Sequence, residues 1–411
     1  MGSESKGSPP RILFVCSNHP LSANRTGASA LNFSHLALLR RCFPGSACQV
    51  IVLDHLAGIS FFADALPGGG TVDCQILPLP AGQAPAGYRA WLRRGYGLMQ
   101  YFHPFVTPQH LQAFRALVGD WAPDVIWSED LVANYFSLSL GSAVPVVYGH
   151  HDSRWKISRL KQKPTLRNRV KNYLLRRLEE GLIGRNAFLV GGSASELQAW
   201  AAAHPGLRTA YLPSTYEPVT PGGAAAAPPR IVHLGTMHAN ANRIGLERFL
   251  EVCWPAIRHR HADARLQVIG DLAAAGPALR TRLQQDHVEC LGFVADLETV
   301  MRPYDIHVIP YEHDTGGTRT RLPLALNYNQ LLIAHRNACR GITGLVHGQN
   351  CLLAGSLPEL TELVAAVLAG RTDGKPIADA GRKFFEREFT LAGQQDRMKS
   401  FLSAIIARTH G

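Results

Sequence analysis

Two glycines and two arginines within one ten-residue stretch, His313 to Leu322 (HDTGGTRTRL), form the strongest chemical signal in this chain. The apolar run Asp305 to Pro310 (DIHVIP) leads into it as a buried strand, and a helix is expected to start near Thr318. In an open α/β sheet, ligands bind beyond the carboxyl ends of the strands. Gly316 and Gly317 let a backbone approach a ligand closely, and a helix start presents unpaired N–H groups that attract phosphate. Arg319 and Arg321 add positive charge in a geometry suited to clamping a diphosphate at two points. Together these groups can stabilise a departing nucleoside diphosphate without a metal.

A second group of chemically capable residues lies in the first half. The segment VPVVYGHHD, Val144 to Asp152, reads as a strand running into two histidines and an aspartate, and Ser128-Glu129-Asp130 ends the preceding strand. A histidine at the carboxyl edge of a sheet can hold a sugar hydroxyl or relay a proton near neutral pH. It can equally cap the strand end. Either His151 or, if the register slips by one residue, His150 could be that histidine. Asp130 is placed to orient an incoming nucleophile.

The elements that must position these residues alternate between Val/Ile-rich runs and helical patterns, which argues for parallel α/β sheets. Strands are expected at 11–17, 49–54, 125–129, 144–149 and 188–191 in the first half. In the second they are expected from 230, at 264–271, 288–294, 305–311 and 330–335, and at 350–353. Residues 217–229 hold four prolines and two glycines in thirteen positions and read as a linker. The expected domains are therefore 1–216, 230–376, and a helical stretch 377–411 free to pack back across the linker.

A chain of 411 residues, 46% of them hydrophobic, is long enough for two full cores. Its eight cysteines are scattered, with no C-x-x-C pair, which fits a reducing compartment. No signal peptide and no run long enough to span a bilayer is legible, so a cytoplasmic location is expected, with association at the inner face of a membrane as an option. The net charge of +11 is concentrated: residues 154–185 hold eleven basic and two acidic side chains, leaving +2 for the rest. Val170, Tyr173, Leu174, Leu178 and Leu182 fall at helical spacing and predict an amphipathic helix with a basic outer face, either simply solvated or in contact with anionic lipid or a lipid phosphate. Only Trp155 and Tyr173 accompany this charge as aromatics, too few for a nucleic-acid stacking platform. Metal, P-loop, nucleophile-elbow and dinucleotide motifs are absent, as is a D-x-D pair.

Three ordered motifs in the second half resemble those of the retaining, nucleotide-sugar-dependent glycosyltransferases of family 4. They are Gly235-Thr236-Met237 after the first strand, Leu291-Gly292-Phe293-Val294-Ala295-Asp296-Leu297, and Gly317-Thr318-Arg319-Thr320-Arg321. The resemblance covers nearly the whole chain. It implies the GT-B fold: two doubly wound Rossmann-like domains facing across a cleft, with a C-terminal helix returning to the N-terminal domain. It further implies that the loop carrying Gly235, Thr236, His238, Asn240 and Asn242 passes under the diphosphate and sugar. Asn242 also suits a helix N-cap. Phe293 and Val294 would lie against the base, and Gly316, Gly317, Thr318, Arg319 and Arg321 would hold the diphosphate. Gly27, in a loop from His19 that resembles the family's P-x5-G-G, would sit near the donor phosphate, and His151 would serve the sugar.

One position departs from the family pattern. The carboxylate usual in the helix after the arginine loop is replaced by Leu324, leaving Glu312 and Asp314 as nearby substitutes. The expected activity is transfer of a sugar from a nucleotide sugar to a hydroxyl, with retention, the acceptor being a small molecule or a lipid-linked saccharide of envelope or natural-product synthesis. No metal, cofactor or nucleic acid is expected. A nucleotide-sugar epimerase and a non-catalytic nucleotide-sugar binder are the alternatives.

Overall fold

The computed structural model describes residues 9–17, 27–55, 72–80, 97–220, 222, 228–313 and 321–409. The chain divides into two compact units, residues 1–215 with 394–411, and residues 216–393.

The first unit is built on a seven-stranded parallel sheet in the order β3-β2-β1-β4-β5-β6-β7. Its strands are β1 (Arg11–Ser17), β2 (Ala47–Asp54), β3 (Asp73–Pro78), β4 (Val125–Glu129), β5 (Val146–His150), β6 (Phe188–Gly191) and β7 (Arg208–Tyr211). The central strands β1 and β4 are buried almost throughout, in register from Ile12 opposite Val125 to Cys16 opposite Glu129. Parallel pairing aligns all carboxyl ends on one edge, so Ser17, Glu129 and His150 finish at the same rim. Helices cover the sheet, and the core joins Val15, Ile51 and Ile126 to Phe114, Phe136 and Leu178.

The second unit has a six-stranded parallel sheet in the order β10-β9-β8-β11-β12-β13. Its strands are β8 (Ile231–Leu234), β9 (Leu266–Ile269), β10 (Val288–Gly292), β11 (Ile306–Ile309), β12 (Leu331–His335) and β13 (Leu352–Ala354). Leu246, Leu250, Trp254 and Ile257 pack with Ile231, Leu266 and Val308 in its main core. The order reverses between β8 and β11, which creates the switch point where such sheets place ligands.

Several expectations are revised. Of the stretch expected as a linker, the described residues 217–220 and 228–229 fall within the second unit, and Asn327 holds two of them: Val219 N–H donates to its Oδ1 (3.1 Å), and its Nδ2 donates to the Glu217 carbonyl (2.9 Å). The stretch from 377 is two helices, Lys375–Glu388 and Leu391–Thr409. Residues 394–411, from within the second, join the first unit, where Arg397 donates to the Tyr211 carbonyl (3.1 Å) and Cys42 Sγ to that of Gln395 (3.3 Å). The basic amphipathic helix is Leu166–Ile183, but its core face is Leu175, Leu178, Leu182 and Ile183, while Val170 and Tyr173 point outward.

Candidate functional site

In the second unit the carboxyl rim begins where β8 gives way to Gly235. The φ of Gly235 is 147°, and a Cβ there would lie 2.2 Å from Asn242 Nδ2, so only glycine lets the loop turn this tightly over the next helix. The loop is then pinned at three points. Gly235 N–H donates to the Ile269 carbonyl (2.8 Å), Met237 N–H to that of Asp271 (2.8 Å), and Asn242 Nδ2 to the Thr236 carbonyl (3.1 Å). Asn242 is therefore a clamp inside the helix Asn240–Arg248 and not its N-cap, which is Ala239 and provides no side-chain acceptor. No side chain caps the first N–H groups of that helix, an arrangement that favours an anion.

Around this loop the expected donor residues divide in character. Thr236 and His238 are exposed, with His238 Nε2 3.2 Å from Asp271 Oδ2, while Asn240 accepts from Arg243 (3.4 Å). Phe293 follows β10 and is 79% exposed at the same rim, and Val294 packs with Leu234, Ile269 and Met301. An exposed phenyl ring beside a phosphate-favouring loop suits a flat base.

Arg321 lies in the helix Arg321–Asn327, and the expected helix start at Thr318 lies outside the described residues. It is buried and donates through one Nη to the Leu234 carbonyl (3.3 Å) and to His233 Nε2 (3.1 Å). Burial and the arginine's own charge hold the His233 pKa well below its usual value, so the ring is neutral and accepts. Arg321 thus lies directly beneath the Gly235 turn. Gly316, Gly317, Thr318 and Arg319 lie outside the described residues. Leu324 packs into the apolar cluster of Val232, Leu234 and Tyr328, a place where a lone carboxylate would be desolvated. Of its two proposed substitutes, Glu312 reaches Arg248 (3.5 Å) and Asp314 lies outside the described residues.

In the first unit the rim is organised by a residue that the sequence placed but undervalued. Glu129, fully buried at the end of β4, accepts from His35 Nδ1 and Trp127 Nε1 on one oxygen (2.6 Å each) and from His151 Nε2 on the other (2.8 Å). Burial alone would raise its pKa, but the two histidines outweigh that and hold it far below the usual carboxylate range. Burial opposes a charge on His151, yet the hydrogen bond and charge of Glu129 prevail and raise its pKa. Gly149, opposite Glu129 in the β4–β5 register, makes this possible, since a Cβ there would sit 2.3 Å from Glu129 Oε2.

The two histidines after β5 therefore separate cleanly. His151 faces Glu129 and the rim. His150 is buried between Tyr148 and Trp200, its Nδ1 3.7 Å from Glu196, and burial lowers its pKa to about 4. Asp130 is occupied structurally. At φ 73° it accepts from the N–H groups of Val132 (2.7 Å) and Ala133 (3.2 Å), capping its helix, and its other oxygen accepts from Ser17 Oγ. Gly27 belongs to the helix Gly27–Cys42, which carries His35 inward, and the loop expected before it lies outside the described residues. His35 escaped the sequence reading. The available signal was its place among Leu31, Leu38 and Leu39 on the helix's apolar face.

Comparison with known proteins places this architecture. Residues 228–370 match the family model described as Glycosyl transferases group 1. No curated protein matches the chain. Among solved structures it is similar to Anabaena HepE in complex with UDP and glucose, at 15% identity and a TM-score of 0.65, covering 96% of this chain and 100% of that one. Sucrose-phosphate synthase from Thermosynechococcus elongatus gives 13% identity and a TM-score of 0.68 over 97% and 100%. TarM gives 7% and 0.67 over 96% and 98%. The fold is GT-B.

Proposed function

We propose that this chain is a nucleotide-sugar-dependent glycosyltransferase, moving a sugar to a hydroxyl acceptor with retention at the anomeric carbon. The observation that carries the reading is the coincidence of the matched family segment, 228–370, with the rim formed by the Gly235 turn, Arg321 and exposed Phe293. The bond from the anomeric carbon to the diphosphate breaks, the acceptor oxygen takes its place, and the hydroxyl proton is released. The diphosphate is assigned to the uncapped helix start at Asn240 and to the segment Gly316 to Arg321, the base to Phe293 and Val294, and a sugar hydroxyl to His151. HepE has been seen with UDP and with UDP-glucose, so a uridine-linked donor is the first to try. The acceptor is a small molecule or a lipid-linked saccharide, and the place of action is cytoplasmic, without a resident metal.

The test is binding and slow hydrolysis of UDP-, GDP-, TDP- and CMP-sugars without acceptor. One donor is expected to bind and to release its nucleoside diphosphate slowly. If none binds, the reading fails. Release of an epimerised nucleotide sugar instead of free sugar would replace transfer with epimerisation, and binding without any turnover would leave a non-catalytic binder.

A further inference from the structure

We propose that the outer face of the helix Leu166–Ile183 docks this protein on an anionic lipid surface. The helix is apolar on two opposite sides. Leu175, Leu178 and Leu182 are buried in the core of the first unit. Leu166, Val170 and Tyr173, at i, i+4 and i+7, share the other side and are 77%, 51% and 61% exposed. Core packing explains the first stripe and offers no reason for the second.

Charge names the occupant. Lys163, Arg167, Arg169 and Arg177 surround the exposed stripe and are themselves exposed. Among the described residues Arg176 and Arg177 share Glu180 (2.7 and 3.7 Å), whereas no ion pair is seen for Lys163, Arg167 or Arg169. An apolar ridge edged by cations matches a layer with an apolar interior and anionic headgroups: the ridge enters the acyl boundary and the cations meet phosphates. A second copy of the chain fits poorly, because the same surplus of nine positive charges would face itself. RNA fits poorly as well. Tyr173 is the only exposed ring of the segment, and Trp155 packs against the core with Arg176 over its face (5.3 Å). No described helix is long and apolar enough to cross a bilayer, so the contact proposed is one that lies on the surface. The inference stands apart from the transfer reading, since it uses no donor-site residue.

Vesicle flotation of the full chain tests it, with phosphatidylcholine alone and with phosphatidylcholine plus phosphatidylglycerol. Wild type is expected to float with the anionic vesicles only, less so at high salt. The combined variant Leu166→Ser, Val170→Ser, Tyr173→Ser and the combined variant Lys163→Gln, Arg167→Gln, Arg169→Gln should each lose about tenfold or more in partitioning. All six side chains are exposed, so circular dichroism and melting temperature should stay at wild-type values. Equal flotation on both vesicle types, unchanged flotation of both folded variants, or retention on RNA that survives loss of the apolar stripe would each overturn the proposal.

Discussion

Glu129 Oε2 lies 2.8 Å from His151 Nε2 while the other carboxylate oxygen holds His35 at 2.6 Å, so one buried acid fixes two histidines from different elements. Taking away the acid would remove the partner of His35 Nδ1 and of His151 Nε2, leaving His35 held only through its Nε2 at the Leu212 carbonyl (2.9 Å). Glu129→Ala is expected to destabilise by roughly 3–5 kcal/mol and Glu129→Gln by roughly 1–3 kcal/mol, measured by denaturant unfolding.

The same pair governs a titration. Because the His151 pKa is raised in the folded state, its stabilising contribution is complete below the ordinary value of 6.5 and is lost as pH rises through the folded value. NMR titration of the His151 ring should show a midpoint above 6.5 in wild type and a lower one in Glu129→Gln. An unchanged midpoint would mean that Glu129 does not set the charge of His151.

Gly149→Ala would place a methyl group against Glu129 Oε2, in a strand with no room to shift. A loss of roughly 1–3 kcal/mol is expected. In the double variant with Glu129→Ala the cost of the alanine at 149 should largely disappear, because the obstructing carboxylate is gone. Additive losses in that cycle would indicate strain unrelated to Glu129.

Glu179 is buried with one oxygen accepting from the Arg154 N–H (2.6 Å) and the other without a hydrogen-bond partner, and burial raises its pKa from 4.5 to about 8. The folded state therefore binds this proton more tightly than the unfolded one, and stability falls as pH rises from about 4.5 to 8. Glu179→Gln should flatten that decline and gain roughly 1–3 kcal/mol over wild type at pH near 8. Parallel stability curves for the two proteins would contradict the assignment.

Sequence made the central strands legible because burial on both sheet faces forces continuous apolar runs, whereas the Gly235 turn was marked only by its resemblance to the family motif. It missed β3 and β7, which are edge strands: within β3 only Leu77 is buried, and Arg208–Tyr211 has no buried residue. Without two-sided burial there is no such run to see. In the Leu166–Ile183 helix, periodicity found apolar residues but could not tell which of two stripes met the core, so Val170 and Tyr173 were turned the wrong way. Leu178 and Leu182 were turned correctly. At the rim, His151 was legible from the strand that ends beside it. The partnership with His35 was not, since it joins residues 94 positions from Glu129 through a fold contact and leaves no local pattern.

Phe293 is expected to matter only if a base lies on it. Phe293→Ala should leave stability unchanged, given 79% exposure, and should weaken nucleotide affinity by about 1 kcal/mol in direct titration.

Under the proposed function, the carboxyl rim of the second unit holds a nucleoside diphosphate. Calorimetric titration of UDP and GDP into the full chain and into Arg319→Ala is the experiment that decides it. Wild type is expected to bind one of the two saturably, with affinity weakened about tenfold or more by the substitution and more sensitive to salt in wild type than in the variant. Absence of binding to wild type, or equal affinity in both proteins, would contradict it.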